Sequence, residues 1–221
     1  TKVLTVAMDV SNVEQCLALL VKAEEEFGTV DVLVNNAGMH SRGDLETVDP
    51  ADVGAMVDIN IRAPLVLSCA AIPYLRRSGG GGIVMVGSLA GMAPLQGAAT
   101  YSGTKAGLRA FAYALADEMR GTRIHVGVVS PGPIDTGFIM DEIDKVEDIV
   151  FSQPMSSPGD VADAVLKIAA GDKLEIPMPA ASGKLTNLGY LFPRLRRYLR
   201  PKLYAKSRKN KDKYRNRQVN E

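Results

Sequence analysis

Apolar positions along this chain follow two patterns, and each pattern predicts a different element. Three segments are continuous apolar runs that end in turn residues, as expected of strands buried on both faces of a sheet. They are VDVLVNNAG (30–38), GIVMVGS (82–88) and RIHVGVVSPG (123–132). TKVLTVAMDV (1–10) predicts a further strand. KLEIPMP (173–179) predicts an edge strand, because proline cannot donate to a sheet ladder.

Between these runs the apolar spacing is helical. It predicts helices over 11–27, 51–77, 100–120 and 159–170. The first should begin at a Ser/Asn cap, Ser11 or Asn12, with Glu14 three residues after Ser11. Strands that alternate with helices predict an α/β fold, a doubly wound, Rossmann-like parallel sheet with helices on both faces. Right-handed crossovers bring the loops after the strands to one edge, so NNAG, GSLAG and SPGPIDTG should meet there.

Length and composition fit one soluble globular domain. The 221 residues are 46% hydrophobic and 23% charged, enough for a sizeable core. We see no apolar run long enough for a membrane span and no secretory leader. The isolated Cys16 and Cys69 indicate neither a disulfide framework nor a metal site. These features predict a cytoplasmic protein without a bound metal.

The small net charge of +1 hides a basic C-terminal tail. Residues 194–221 carry twelve Lys/Arg against Asp212 and Glu221, which gives +10 and leaves −9 for the rest of the chain. We therefore predict a domain at 1–185 and a basic tail at 186–221. Leu, Tyr and Phe interleaved with Arg suit peripheral contact with an anionic membrane. A disordered tail or one docked on an acidic face fits equally, and a nucleic-acid arm is the least favoured.

Candidate chemistry begins at YSGTK (101–105), where Tyr101 and Lys105 lie one helical turn apart on one face. A tyrosine with the ordinary pKa of about 10 exchanges protons poorly at neutral pH, and an adjacent ammonium should lower that pKa. Such a phenol is a usable general acid or base. The spacing alone also fits a solvated Tyr–Lys pair on a helix surface.

Two more residues give this pair a context. Ser88 ends a buried strand, so its hydroxyl should reach the same point as the phenol, although such a serine is commonly a turn or cap residue. Pro64 lacks the N–H that would pair with the Asn60 carbonyl, so the helix should bend and the freed carbonyl should anchor a water. The alternative is a kinked helix in which Asn60 caps the second half.

Together, NNAG (35–38), Asn60, Ser88, YSGTK and SPGPIDT (130–136) resemble the classical short-chain dehydrogenase/reductases, over roughly residues 1–180. The resemblance implies an oxidoreductase that uses NAD or NADP to interconvert a hydroxyl and a carbonyl group on a small alcohol or ketone. It implies that Tyr101 donates and accepts the proton, and that Lys105 lowers its pKa and holds the nicotinamide ribose. It further implies that Ser88 orients the substrate oxygen and that Asn60 binds the water of a proton relay.

The same resemblance implies further cofactor contacts. They are Asp9 and Val10 at the adenine, Asn36, Ala37 and Gly38 on the adenosine side, and Pro131, Gly132, Ile134 and Thr136 at the nicotinamide half. Homo-oligomers are common in the family. The alternative to an enzyme is a catalytically silent cofactor-binding or structural relative.

The sequence departs from that family at its start. Family members open with a strand, a Gly-rich TGxxxGxG turn, a helix and another strand, and none of these is present here. The turn supplies backbone N–H groups to the pyrophosphate, and the central strand would separate TKVLTVAMDV from VDVLVNNAG. We therefore predict that the chain is N-terminally truncated and that its sheet has an unpaired edge. We also predict that it binds NAD(H) or NADP(H) poorly. A genuinely short, four-stranded protein is the alternative.

Residues 137–157 follow the last cofactor motif, and in the resembling family this segment covers the substrate. Its apolar residues predict a hydrophobic substrate or, equally, the packing of two short amphipathic helices. His40 follows NNAG in a loop, where it could face the substrate, but we favour a lone solvated histidine. We interpret His125, inside a strand, as a packing residue.

Overall fold

The computed structural model describes the backbone of residues 1–219 and the side chains of residues 1–216. Four parallel strands form one sheet in the order β1-β2-β3-β4. The strands are β1 Val32–Asn35, β2 Gly81–Val86, β3 Ile124–Pro131 and β4 Glu175–Met178. All four therefore end along the same edge of the sheet. The predicted α/β class and the edge position of the proline-containing strand β4 are both confirmed.

Helices cover both faces of this sheet. The helices of the described chain are α1 Val13–Phe27, α2 Pro50–Val57, α3 Ala63–Arg77, α4 Leu89–Met92, α5 Ala99–Glu118, α6 Gly137–Met140, α7 Pro158–Ala169, α8 Ala180–Leu191 and α9 Pro193–Val219. On one face, α3 and α5 bury Leu75 and Leu108 in the same core as Ile83. On the other, α7 buries Ile168 with Val84. Strand β2 thus contributes to two cores, which explains its continuous apolar run.

Residues 1–10 form no strand, contrary to the prediction. Lys2 pairs with the Glu26 carboxylate at 2.8 Å, at the end of α1, and Val3 is 79% exposed. A strand forms only where a neighbour pairs with its backbone groups, and β1 pairs with β2 alone in the described sheet. The predicted unpaired edge at β1 is therefore confirmed.

Helix α1 begins after the second residue of its predicted Ser/Asn cap. Asn12 is the N-cap, and its Oδ1 accepts a hydrogen bond from the Gln15 N–H at 3.0 Å. Ser11 instead donates its N–H to the Asp9 carboxylate at 2.8 Å. The predicted Ser/Asn cap is therefore confirmed at Asn12, because a local Asx-type turn already uses Ser11.

The helix predicted over 51–77 is present, but a π-turn at Asp58–Arg62 divides it into α2 and α3. The Ala63 N–H bonds to the Asp58 carbonyl, five residues earlier. Next to Pro64, which has no N–H to donate, the helix widens by one residue. Asn60 lies inside the wide turn and is fully buried.

The segment Pro50–Arg77 is, by length and composition, apolar enough to cross a membrane, with a mean hydropathy of 1.5. The sequence pattern had predicted no apolar segment of that length. Its Leu67, Ala71 and Leu75 belong to the core formed with α1, α5 and the sheet. We therefore describe it as a core helix of the fold.

The C-terminal region is helical, and the predicted boundary at 185/186 falls within α8. Helix α9 packs on the segment that follows α6. Lys211 donates to the Val146 carbonyl at 2.6 Å and pairs with Asp148, and Tyr214 packs its ring 5.9 Å from that of Phe151. We call these contacts the α9 clasp. The second half of the tail is thus docked on an acidic face, which was one of the alternatives.

Candidate active site

The four candidate catalytic residues come from three elements at one side of the sheet. Asn60 lies in the π-turn, Ser88 is the N-cap of α4, and Tyr101 and Lys105 lie in the first turns of α5. Strand β2 leads directly into Ser88, and the loop after β1 reaches Asn60. Topology therefore brings together residues that are 45 positions apart in sequence.

Ser88 meets Tyr101 because α4 and α5 approach unusually closely. Ser88 accepts the Ala90 N–H at 3.1 Å, and its hydroxyl lies close enough to the Tyr101 phenol to lower the pKa of that phenol. A Cβ added at Gly91 would lie 2.6 Å from the Lys105 carbonyl oxygen, so the crossing requires glycine. Gly91 thus sets the distance between the two hydroxyls. Sequence reasoning missed it, although it ends the quoted stretch GSLAG.

Asn60 fastens the loop after β1 to the site. Its Nδ2 donates to the Met39 carbonyl at 2.9 Å and to the Thr104 hydroxyl at 3.3 Å, while its Oδ1 accepts the Met39 N–H at 2.8 Å. The side chain therefore bridges to the loop and to α5, and the alternative in which it caps the second half of its own helix is wrong. A Cβ at Gly38 would lie 3.3 Å from Asn60 Oδ1 and 3.6 Å from Lys105 Nζ, so all three residues converge.

Lys105 is a buried cation with donors to spare. Its side chain reaches the carboxyl end of β2, where Nζ donates to the Val86 carbonyl at 2.9 Å, and it lies 5.8 Å from the centroid of the Tyr101 ring. The residue is 5% exposed, and burial lowers its pKa to about 8. Among the described residues Nζ makes this one hydrogen bond and pairs with no carboxylate. Two of its three N–H groups are therefore available to a ligand.

The pKa of Tyr101 moves in the opposite direction from the prediction. Burial raises it above 10, and the hydrogen bond to Ser88 and the positive charge of Arg42 offset only part of that rise. Lys105 points its ammonium at the strand, so the nearby cation that favours the phenolate is Arg42. The half-buried phenol is consequently a neutral acid at physiological pH.

His40 is not the solvated residue that its loop position suggested. Its ring stacks on Tyr101 at 4.2 Å between centroids and 11° between planes, and its Nδ1 lies 2.9 Å from an Arg42 nitrogen. Burial and the Arg42 charge lower its pKa to about 3. A neutral imidazole therefore covers one face of the tyrosine ring.

Arg42 connects this site to the segment after β3. It donates to the Phe138 carbonyl at 2.9 Å, stands 5.5 Å from the Phe138 ring, and reaches Glu142 at 3.5 Å. Sequence reasoning missed it, because a loop has no periodicity to show that a distant cation will fold over Tyr101.

The apolar residues of 137–157 mostly pack among themselves. Ile139, Met140, Ile143, Val146 and Phe151 form one buried cluster, with Tyr214 of α9 against it. Of the two interpretations of this segment, the packing of short helices is therefore supported. Phe138, at 46% exposed, is the apolar side chain that stays near Arg42 and the site.

The candidate cofactor residues lie in three groups, two of which follow strands β1 and β3. Asn36, Ala37 and Gly38 are exposed directly after β1. Pro131 ends β3, and Gly132, Ile134 and Thr136 follow it, with the Gly132 N–H bonded to the Met178 carbonyl at 2.7 Å. Asp9 and Val10 precede α1, where Arg62 of the π-turn donates to the Ser11 carbonyl at 3.1 Å.

Comparisons with known proteins agree with this architecture. A family model described as short chain dehydrogenase matches residues 1–147. The ketoacyl reductase HetN of a Nostoc species is 31% identical over 176 residues, which are 79% of this chain and 60% of that protein. The oxidoreductase BOA17 of Botryotinia fuckeliana is 30% identical over 200 residues, 90% of this chain and 72% of that protein.

A solved short-chain dehydrogenase from Streptomyces avermitilis has the same fold, with a TM-score of 0.71 at 24% identity, covering 89% of this chain and 76% of that one. The chain thus spans about three fifths to three quarters of the length of these proteins. With the family model matched over most of the chain, it belongs to the short-chain dehydrogenase/reductase family.

Proposed function

We propose that this protein is an NAD(P)-dependent oxidoreductase that interconverts a hydroxyl and a carbonyl group on a small-molecule substrate. One observation carries the proposal: the Ser88 hydroxyl lies close enough to the Tyr101 phenol to lower its pKa, beside a buried ammonium, Lys105, whose donors are not used up. We propose a cytoplasmic location for this activity. Because the apolar residues of 137–157 pack among themselves, they do not support a hydrophobic substrate. The proposed substrate is therefore an alcohol or ketone of any polarity.

In this mechanism Tyr101 donates its proton to the substrate oxygen when a carbonyl is reduced. The phenol is protonated at neutral pH, as this direction requires, and its raised pKa makes it a weaker acid that depends on charge brought by the bound ligand. Ser88 holds the substrate oxygen within reach of the phenol. Asn60, tied to Met39 and Thr104, fixes the site wall and would bind the water of a proton relay.

The residues near Lys105 fit a nicotinamide nucleotide. The two spare N–H groups of Lys105 suit ribose hydroxyls, and the side-chain-free backbone at Gly38 leaves room beside them. Asn36 and Ala37 extend this surface, and the loop Pro131–Thr136 lines the same edge. The cofactor, when bound, supplies or accepts the hydride.

The test is oxidation of NADH or NADPH with a panel of ketones, by the protein expressed from its complete reading frame. Tyr101→Phe should lower turnover about a thousandfold, because it removes only the transferable proton. The control is Tyr113→Phe on the same helix, which loses a hydroxyl bonded to Glu175 and should keep its turnover within about threefold.

A catalytically silent relative makes a different prediction. It would show no turnover with any ketone while still binding the nucleotide. Measurable turnover that Tyr101→Phe leaves unchanged would reject the proposed mechanism, although not the family.

A further inference from the structure

Helix α8 and the first half of α9 expose an apolar surface that the proposed function does not use. Nine large hydrophobic side chains between residues 185 and 203 are 40–74% exposed. They are Leu185, Leu188, Tyr190, Leu191, Phe192, Leu195, Tyr198, Leu199 and Leu203. So dense an apolar surface is typical of a binding face. We call these nine residues the apolar ridge.

The α9 part of the ridge is held outward by contacts on the neighbouring face of the helix. Arg196 donates to the Pro94 carbonyl at 3.2 Å, Arg200 bonds Gln96, and Tyr204 donates to Glu147. Leu195, Leu199 and Leu203 each precede one of these residues, so each lies about 100° around the helix from a body contact. The three leucines therefore form one stripe that stays 40–47% exposed.

The charge around the ridge identifies its partner. No Asp or Glu occurs from residue 176 to residue 211, while ten Lys and Arg occur there. Arg194, Arg197, Lys202 and Lys206 are exposed beside the ridge. Leucines flanked by cations, with Tyr and Phe between them, match an anionic lipid surface, where basic side chains meet headgroups and aromatic rings lie at the interface.

We infer that the apolar ridge docks this protein peripherally on an anionic membrane. A second copy of the chain suits the ridge poorly, because a two-fold contact would bring two cationic faces together without an acidic partner in either segment. The docked face adjoins the loop 93–98 that leads into Tyr101, because Arg196 and Arg200 bond to that loop. The inference itself does not depend on catalysis.

The experiment is flotation with phosphatidylcholine vesicles, with and without about one third phosphatidylserine, since aggregated protein sinks while vesicle-bound protein floats. The full chain should bind the anionic vesicles about tenfold more tightly than the neutral ones. Leu195→Ser/Leu199→Ser should weaken anionic binding about tenfold, because two partly inserted leucines are lost. High salt should weaken binding by the wild type.

The matched control is Leu45→Ser/Leu166→Ser, which removes two leucines that are 55% and 67% exposed elsewhere on the surface. It should float as the wild type does. Equal recovery with neutral and anionic vesicles, or full flotation of the Leu195/Leu199 variant, would overturn the inference. So would a concentration-dependent dimer, seen by analytical ultracentrifugation without lipid and lost in that variant, because the ridge would then bind a second copy.

Discussion

Lys105 in the candidate site and Lys211 in the α9 clasp are almost equally buried, at 5% and 8% exposed, yet their surroundings differ. Lys211 donates to two backbone carbonyls, those of Val146 and Asp144, and pairs with Asp148, so all three of its donors are used. Lys105 donates to one carbonyl within the described chain. A buried ammonium with every donor used holds structure, whereas one with spare donors is prepared for a ligand.

The largest effect should come from replacing the cation with spare donors. Lys105→Met should lower turnover about a thousandfold, because the site loses the group proposed to hold the nucleotide. The free energy of unfolding should stay the same or rise, since a desolvated charge is removed. Turnover assays and urea denaturation of the same preparations measure both. A variant that loses stability and keeps its activity would reverse the comparison.

Lys211→Met should show the opposite result. It should cost about 3 kcal/mol of stability, because two carbonyls and Asp148 lose their buried partner. Turnover should change less than about threefold. Hydrogen exchange should then be faster in α9 than in α5. If α5 exchanges faster as well, the clasp and the site are one cooperative unit and the comparison fails.

Gly91→Ala tests how closely the site depends on the contact between α4 and α5. The added methyl group would overlap the Lys105 backbone, which should cost about 2 kcal/mol and move Ser88 away from Tyr101. Gly103→Ala is the control in α5, where a Cβ meets nothing within 4 Å. It should stabilise the protein by up to about 1 kcal/mol. Equal thermal shifts in the two variants would contradict the close crossing.

The smallest effect is a pH dependence of the free energy of unfolding, which should differ between the candidate site and the α9 clasp. The folded-state pKa of His40 is about 3, below its ordinary 6.5, so the unfolded chain binds the proton first and stability falls as pH drops from about 6.5. Between pH 7.5 and 5 this should amount to about 1–2 kcal/mol, and His40→Asn should abolish it. Denaturation midpoints at the two pH values measure the difference.

The contribution of the α9 clasp to stability should change only at a lower pH. Burial alone would raise the pKa of Asp148, but hydrogen bonds from Arg208 and Lys211 outweigh it, so the pKa lies below 3.8 and this contribution is lost in more acid solution. Loss of α9 protection already at pH 5 would show that the two regions do not titrate separately.

The sequence predicted the elements better than their contacts. Apolar runs identified the buried strands, and the pairing of YSGTK with Ser88 pointed to the candidate site, because strand ends in a parallel sheet share an edge. The direction of the Tyr101 pKa could not be predicted, since it depends on burial beneath His40 and on Arg42, whose position is set by a loop. The absence of a strand at residues 1–10 likewise depends on pairing partners rather than on propensity.

The π-turn at Asp58–Arg62 has a consequence for how this helix tolerates change in length. It holds one residue more than a regular turn, so deleting a single residue there would restore a regular α-helix. The residues on one side of the deletion would then rotate by about 100° about the helix axis. The amide of Asn60 would then face away from Met39 and Thr104. Natural variants of this chain should accordingly keep the spacing between α2 and α3 fixed, even where the residues themselves differ.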